Sequence, residues 1–169
     1  MGWDYNQIMA RPRHLGIQDK VKFLGYVDHA DLPGLYGGAQ AFVFPSLFEG
    51  FGLPIVESLA VGTPVIASDI PAHREIFMAF TRGYKQFIHN SKIDKVGANA
   101  SKNGNLHELE AMMLVKLNEP QEWLNKLHQT TIYVYQTKQK AITSRISAKL
   151  FNWEQVAKET LMVLNSVKR

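Results

Sequence analysis

FPSLFEGFGLPIVESLAVGTPVIASD, residues 44–69, is the stretch whose reading decides the fold. Glu49-Gly50-Phe51-Gly52 reads as a loop, and Leu53-Pro54 opens a helix. Proline is favoured near the first helical position because its missing N–H would be unpaired there in any case. Gly62 supplies the stop, and Pro64-Val-Ile-Ala67 reads as a buried strand. With the apolar run at 41–44 in front, the order is strand, glycine loop, short helix, strand.

That layout carries chemistry. The free N–H groups at a helix start, together with the helix dipole, favour an anion. Gly50 and Gly52 let such an anion approach the backbone closely. Glu57, one turn into the helix, can turn a carboxylate towards a diol, and Glu49 stands eight residues before it. A diol beside a phosphate is what a nucleotide sugar presents.

Working outward, residues 21–24 and 41–44 read as short buried strands rich in Val and Phe. Between them Asp28 can cap a short helix that ends at Gly37-Gly38. A helix over 5–14 is expected to end or kink at Pro12. Alternating strands and helices imply a Rossmann-like parallel sheet flanked by helices, an α/β class. Ligands in such sheets lie beyond the carboxyl ends of the strands, where residues 45–52 fall.

The last third reads as helical. Leu106, Leu109, Met112, Met113 and Leu117 recur at helical spacing, with Glu108, Glu110 and Lys116 off that face. Asn118-Glu-Pro-Gln breaks this helix and Pro120 starts the next. Asn152 with Gln155 opens a final helix towards Val167 as an asparagine-capped form of the capping box. The expected organisation is one domain over 1–169, with an α/β core at 1–76, a divergent loop region at 77–103 and a helical part at 104–169.

Composition narrows the class. A chain of 169 residues, 46% hydrophobic, can bury one core. There are no cysteines, so a disulfide framework and a thiolate metal site are excluded. No run of about 18 apolar residues is present to span a membrane, and the start MGWDYNQIMARPRH lacks the apolar segment of a signal peptide. A cytoplasmic protein is the simplest expectation, with peripheral attachment at the inner face of a membrane as a variant. The excess of Lys and Arg lies in residues 77–169, fourteen against seven Asp or Glu, while residues 1–76 carry five against eight. The surplus is scattered, which favours a solvated surface over a basic patch, and no aromatic-interleaved basic motif points to nucleic acid. The six histidines share no metal-ligand spacing. His73, closest to the glycine loop, could reach a bound donor or acceptor, but a helix-capping role at the surface is the favoured expectation.

At this point the chain resembles a family. Glu49-Gly-Phe-Gly-Leu-Pro-Ile-Val-Glu57 is similar to the E-x7-E motif of the group 1 (family 4) retaining glycosyltransferases, which have the GT-B fold. Val21-Lys-Phe-Leu-Gly-Tyr-Val27 and Asp31-Leu-Pro-Gly-Leu-Tyr36 resemble two upstream segments of that family. Gly62-Thr-Pro-Val-Ile-Ala-Ser68 and Phe151-Asn-Trp-Glu-Gln-Val-Ala157 resemble two downstream ones. The likeness is close over 15–76, loose over 104–167 and slight over 77–103.

The resemblance implies most of a C-terminal, donor-binding GT-B half that lacks its first strands, with an acceptor domain or partner subunit supplying the rest. It implies that Glu57 holds the ribose hydroxyls of the donor and that Glu49 sits near the transferred sugar, as the catalytic residue. Gly50, Phe51, Gly52 and Leu53 would offer N–H groups to the sugar hydroxyls and distal phosphate. Main chain at Val27 would meet the base, and Ser46 would touch the nucleotide or serve only as a turn hydroxyl. The donor would be a UDP- or GDP-sugar and the acceptor a carbohydrate or lipid-linked hydroxyl, as in cell-envelope or polysaccharide synthesis. No cofactor or metal is implied. The isolated chain is expected not to turn over. Two other possibilities stay open: a GT-B epimerase or phosphorylase-like enzyme, and a non-catalytic fragment that binds nucleotide sugar or pairs with another subunit.

Overall fold

In the computed structural model, residues 5–91 and 111–132 are described, together with 143, 144, 146–148, 150–152, 154, 157, 158 and 162. The chain divides into two units, Met1–Leu32 and Pro33–Arg169.

The first unit carries α1 (Tyr5–His14) and a 3-10 turn at Gln18–Lys20. Pro12 does not end α1, which runs two residues past it. The stop comes from Gly16 at φ +66°. The Ile17 N–H reaches the Pro12 carbonyl at 2.9 Å and the Gly16 N–H the Arg13 carbonyl at 3.1 Å. That paired closure is the Schellman arrangement, which satisfies carbonyls left over at a helix end. Residues 21–24 do not form the expected strand; the segment belongs to no described sheet, and Phe23 and Leu24 are 48% and 59% exposed. β-Propensity alone cannot make a strand, which exists only through a neighbour's hydrogen bonds. Asp28 caps a turn rather than a helix, since its Oδ1 takes the Ala30 N–H at 3.0 Å just before α2 (Leu32–Gly38).

The second unit is built on a parallel sheet in the order β1 (Phe42–Phe44), β2 (Val65–Ser68), β3 (Met112–Val115). Phe42 pairs with Val65 and Phe44 with Ala67; Val65 pairs with Met112 and Ser68 with Val115. Parallel neighbours need a crossover element, supplied by α3 (Leu53–Ala60) between β1 and β2 and by α4 (Pro71–Ser91) between β2 and β3. Central β2 is buried at all four residues, whereas β1, at one side of the described sheet, leaves Val43 37% exposed.

Alternation along β2 and β3 distributes the core. Val65, Ala67 and Met112 pack with Ile55 and Leu59 of α3, with Ile76 and Phe80 of α4, and with Ile146. Ile66, Met113 and Val115 form a second cluster with Trp123 and Leu127 of α5 (Pro120–Ile132). Successive strand residues point to opposite faces, so helices cover both sides of the sheet.

Two expectations about the later chain are corrected. Met112 and Met113 lie on the buried strand β3, not a helix, so 104–169 is not wholly helical; Leu117 falls in the turn after β3, and Leu106 and Leu109 lie outside the described residues. A short unbroken apolar run such as Ala111-Met-Met-Leu-Val is the mark of a strand buried on both faces, and periodicity cannot separate it from a buried helix. The region from 77 onward is no loop as far as Ser91 but the body of α4, with Ile76 and Phe80 one turn apart on its buried side. Residues 92–103 lie outside the described set. Pro120 does start α5, and Asn152 does cap, its Oδ1 taking the Glu154 N–H at 2.9 Å.

Candidate functional site

The loops leaving the carboxyl ends of β1 and β2 form the site. After Phe44 the chain turns through Pro45 to Gly52 and enters α3. Gly52 is the N-cap at φ +97°, a conformation costly for any residue with a Cβ. A Cβ there would stand 3.3 Å from His73 Cδ2 and 3.4 Å from the Cδ1 atoms of both Ile55 and Ile76. Its left-handed backbone and its close fit thus both call for glycine. Gly50, by contrast, has open space around its Cα.

Each motif glutamate is met by a hydroxyl from another part of the unit or loop. Ser46 Oγ donates to Glu49 Oε1 at 2.7 Å, and Glu49 is half-buried. Tyr36 Oη, on α2, donates to Glu57 Oε2 at 3.1 Å, and Glu57 is exposed on α3. In both, no hydrogen bond among the described residues reaches the second carboxylate oxygen. Tyr36 is itself fixed by buried Thr63, whose Oγ1 donates to the Tyr36 carbonyl at 2.7 Å. Burial raises the Tyr36 hydroxyl pKa to about 12, helped by the hydrogen bond and negative charge of Glu57.

An aromatic row lies beneath the motif. Tyr36 meets Phe42 edge-on at 5.2 Å, Phe42 stacks on Phe44 at 5.6 Å, and Phe44 lies 5.5 Å from the His73 ring. His73 is fully buried in the first turn of α4, not a capping residue at the surface. Its Nδ1 is 2.8 Å from the Ser68 carbonyl oxygen. Ser68 Oγ donates to the Ser46 carbonyl at 2.5 Å, which ties the β2 end to the β1 loop. Beside it, Arg74 closes a two-pronged pair on Asp69, which holds the Asp69 carboxyl below the usual carboxylate range.

The structure therefore brings together Ser46, Glu49, Gly50, Phe51, Gly52, Leu53 and Glu57 on one loop and helix start. Phe51 and Leu53 are 42% and 46% exposed, and Leu47 and Phe48 stand further out at 83% and 87%. Phe51 also meets Phe151 edge-on at 6.3 Å. Val27 belongs to the first unit, half-buried in the segment before the Asp28 turn. The residues that sequence reasoning missed are Tyr36, Thr63 and Ser68. Tyr36 had a signal in its hydroxyl at the end of a short helix, whereas no local pattern shows that Thr63 and Ser68 face other segments. Among the described residues, no three His, Cys, Asp or Glu side chains group to hold a metal ion, and no helix is long and apolar enough to cross a membrane.

A family model described as glycosyl transferases group 1 matches residues 2–95, more than half of the chain. The chain belongs to the group 1 glycosyl transferases. Over 75 residues it is 48% identical to O-antigen chain mannosyltransferase B of Escherichia coli, a match covering 44% of this chain and 20% of that protein. Over 62 residues it is 50% identical to O-antigen chain mannosyltransferase RfbU of Salmonella typhimurium, covering 37% and 18%. Mannosylfructose-phosphate synthase of Agrobacterium fabrum is 41% identical over 78 residues, covering 46% and 16%. The chain thus spans no more than 20% of the length of these relatives. The solved structure of sucrose-phosphate synthase from Thermosynechococcus elongatus superposes with a TM-score of 0.68 at 21% identity, over 96% of this chain and 34% of that one. The α/β architecture is that of a GT-B glycosyltransferase.

Proposed function

We propose that this chain binds the nucleotide-diphosphate sugar donor of a glycosyltransferase and supports transfer of the sugar, with retention, to an acceptor hydroxyl. One observation carries the proposal: Glu49 and Glu57 flank the start of α3, each held by a hydroxyl on one oxygen and, among the described residues, open on the other. Glu57 then takes the ribose diol, while Glu49 faces the transferred sugar. N–H groups of 50–53 receive the distal phosphate and sugar hydroxyls, since the first N–H groups of a helix have no partner within it. Ser46 acts on the donor through Glu49.

The chemistry consists largely of stabilising charge as it accumulates on the departing diphosphate. Fixed N–H dipoles aimed at that charge suit the task because they need no reorganisation during the reaction. The acceptor hydroxyl attacks from the face the leaving group vacates and passes its proton to a phosphate oxygen. The charge is met by these dipoles without a divalent ion, so EDTA leaves donor affinity unchanged. Several relatives are named mannosyltransferases, which makes a mannosyl donor the first to test and a carbohydrate or lipid-linked chain the acceptor class.

Saturation-transfer NMR with UDP-glucose and GDP-mannose tests the donor. Saturation on ribose and hexose protons of one of them supports the proposal, and none on either contradicts it. Retention is read from the anomeric coupling constant of the product, where an inverted configuration refutes it.

A further inference from the structure

A hydrogen-bonded line runs from buried His73 on α4 to the half-buried first motif glutamate, and donor contact alone does not account for it. The His73 ring is fully buried, with Nδ1 2.8 Å from the Ser68 carbonyl oxygen and 3.2 Å from Ser68 Oγ. A carbonyl oxygen only accepts, so the proton sits on Nδ1. Ser68 Oγ spends its own proton on the Ser46 carbonyl, and Ser46 Oγ spends its proton on Glu49 Oε1. The donors thus point one way from Ser68 to the carboxylate, and His73 fixes Ser68 from behind.

The other ring nitrogen shows why a histidine is informative here. Nε2 is buried with no hydrogen-bond partner among the described residues, and the adjoining Cδ2 lies against Gly52. A buried polar atom without a partner is destabilising. An apolar side chain among Phe44, Ile55 and Ile76 would fill the space without that cost. What the imidazole adds to packing is the Nδ1 donor.

We infer that His73 is a positioning residue for Glu49. Its N–H fixes the end of β2, Ser68 fixes the Ser46 peptide, and Ser46 turns the Glu49 carboxylate towards the sugar of the donor. This role rests on the proposed donor site.

The test is calorimetric titration of the full chain and of its His73→Asn, His73→Leu and Ser46→Ala variants with UDP, GDP, UDP-glucose and GDP-mannose. Glu57, Ser46 and the 50–53 backbone remain in both His73 variants, so their nucleoside diphosphate affinity stays within about twofold of the parent. The ratio of sugar-nucleotide to diphosphate affinity falls about tenfold in His73→Leu and Ser46→Ala, the effect of one misplaced charge-assisted hydrogen bond. His73→Asn, whose amide N–H stands close to the position of Nδ1, restores the ratio. Should His73→Leu fail to fold, Ser46→Ala removes only one hydroxyl and carries the test. Equal losses for diphosphate and sugar conjugate, an unchanged ratio in Ser46→Ala, or His73→Asn behaving like His73→Leu would overturn the role of His73 alone. A parent chain that binds none of the four would overturn the donor site, and His73's role with it.

Discussion

Tyr36 Oη donates to Glu57 Oε2 at 3.1 Å, so a short helix ahead of β1 orients the carboxylate of the helix behind it. The contact sits at the surface but is anchored below, by Thr63 on the Tyr36 carbonyl and by Phe42 against its ring. Tyr36→Phe keeps the ring and removes the donor. Nucleotide affinity is expected to fall by about three- to tenfold, the worth of a hydrogen bond that fixes a charged acceptor. Titration with the preferred nucleotide checks it.

The same pair sets a pH dependence. The Tyr36 hydroxyl pKa is raised to about 12, so the folded protein keeps this proton where the unfolded chain begins to lose it near pH 10. Stability from neutral Tyr36 is complete below pH 10 and is lost as pH rises from about 10 through 12. Ultraviolet titration of phenolate should show Tyr36 ionising well above pH 10, and burial holds the Tyr84 hydroxyl up as well. Subtracting the Tyr36→Phe curve should assign the Tyr36 step.

Thr63→Val is nearly isosteric but removes one of two donors to the Tyr36 carbonyl, leaving only the Ala39 N–H at 3.0 Å. A loss of about 1 kcal/mol in unfolding free energy is expected, with a weaker hold on Glu57 as a consequence. Urea denaturation measures the first and nucleotide titration the second.

Gly52→Ala places a methyl group on a left-handed backbone 3.3 Å from the His73 ring. The conformation alone costs about 1–2 kcal/mol. Urea denaturation should show at least that loss, and Gly50→Ala should show much less, because nothing crowds Gly50.

Asp69 gives the acid limb. Its folded pKa is depressed by the Arg74 hydrogen bond, so its contribution is present above the unfolded carboxylate value and is lost as pH falls through the lower folded one. Parent and Arg74→Ala should differ in melting temperature at pH 6, and the difference should close below about pH 4.

How much of this was legible beforehand depended on the range of each interaction. Gly52, Pro54 and Gly62 act on their own backbone, and α3 and β2 appeared where those residues placed them. Residues 21–24 look like a strand by the same local rules, yet a strand is completed only by a partner elsewhere in the chain. Met112 and Met113 could not be assigned from spacing, because burial on both faces erases the alternation that distinguishes strand from helix. At the site, the glutamate pair was readable as a motif. The hydroxyls that hold it were not: Tyr36 and Glu57 are 21 positions apart, and Ser68 and Ser46 are 22 apart. His73 looked like a surface residue because histidine at a helix start usually is one; only the packing of Phe44, Ile76 and Gly52 around it shows otherwise.

The most direct test of the donor site is calorimetry with UDP and GDP on the parent chain and on Glu57→Gln, with circular dichroism to show that both are folded. The account predicts that one nucleotide binds the parent and that Glu57→Gln weakens it by about tenfold or more, as the ribose loses a charged acceptor. Equal affinity in parent and variant, or a folded parent that binds neither nucleotide, would contradict it.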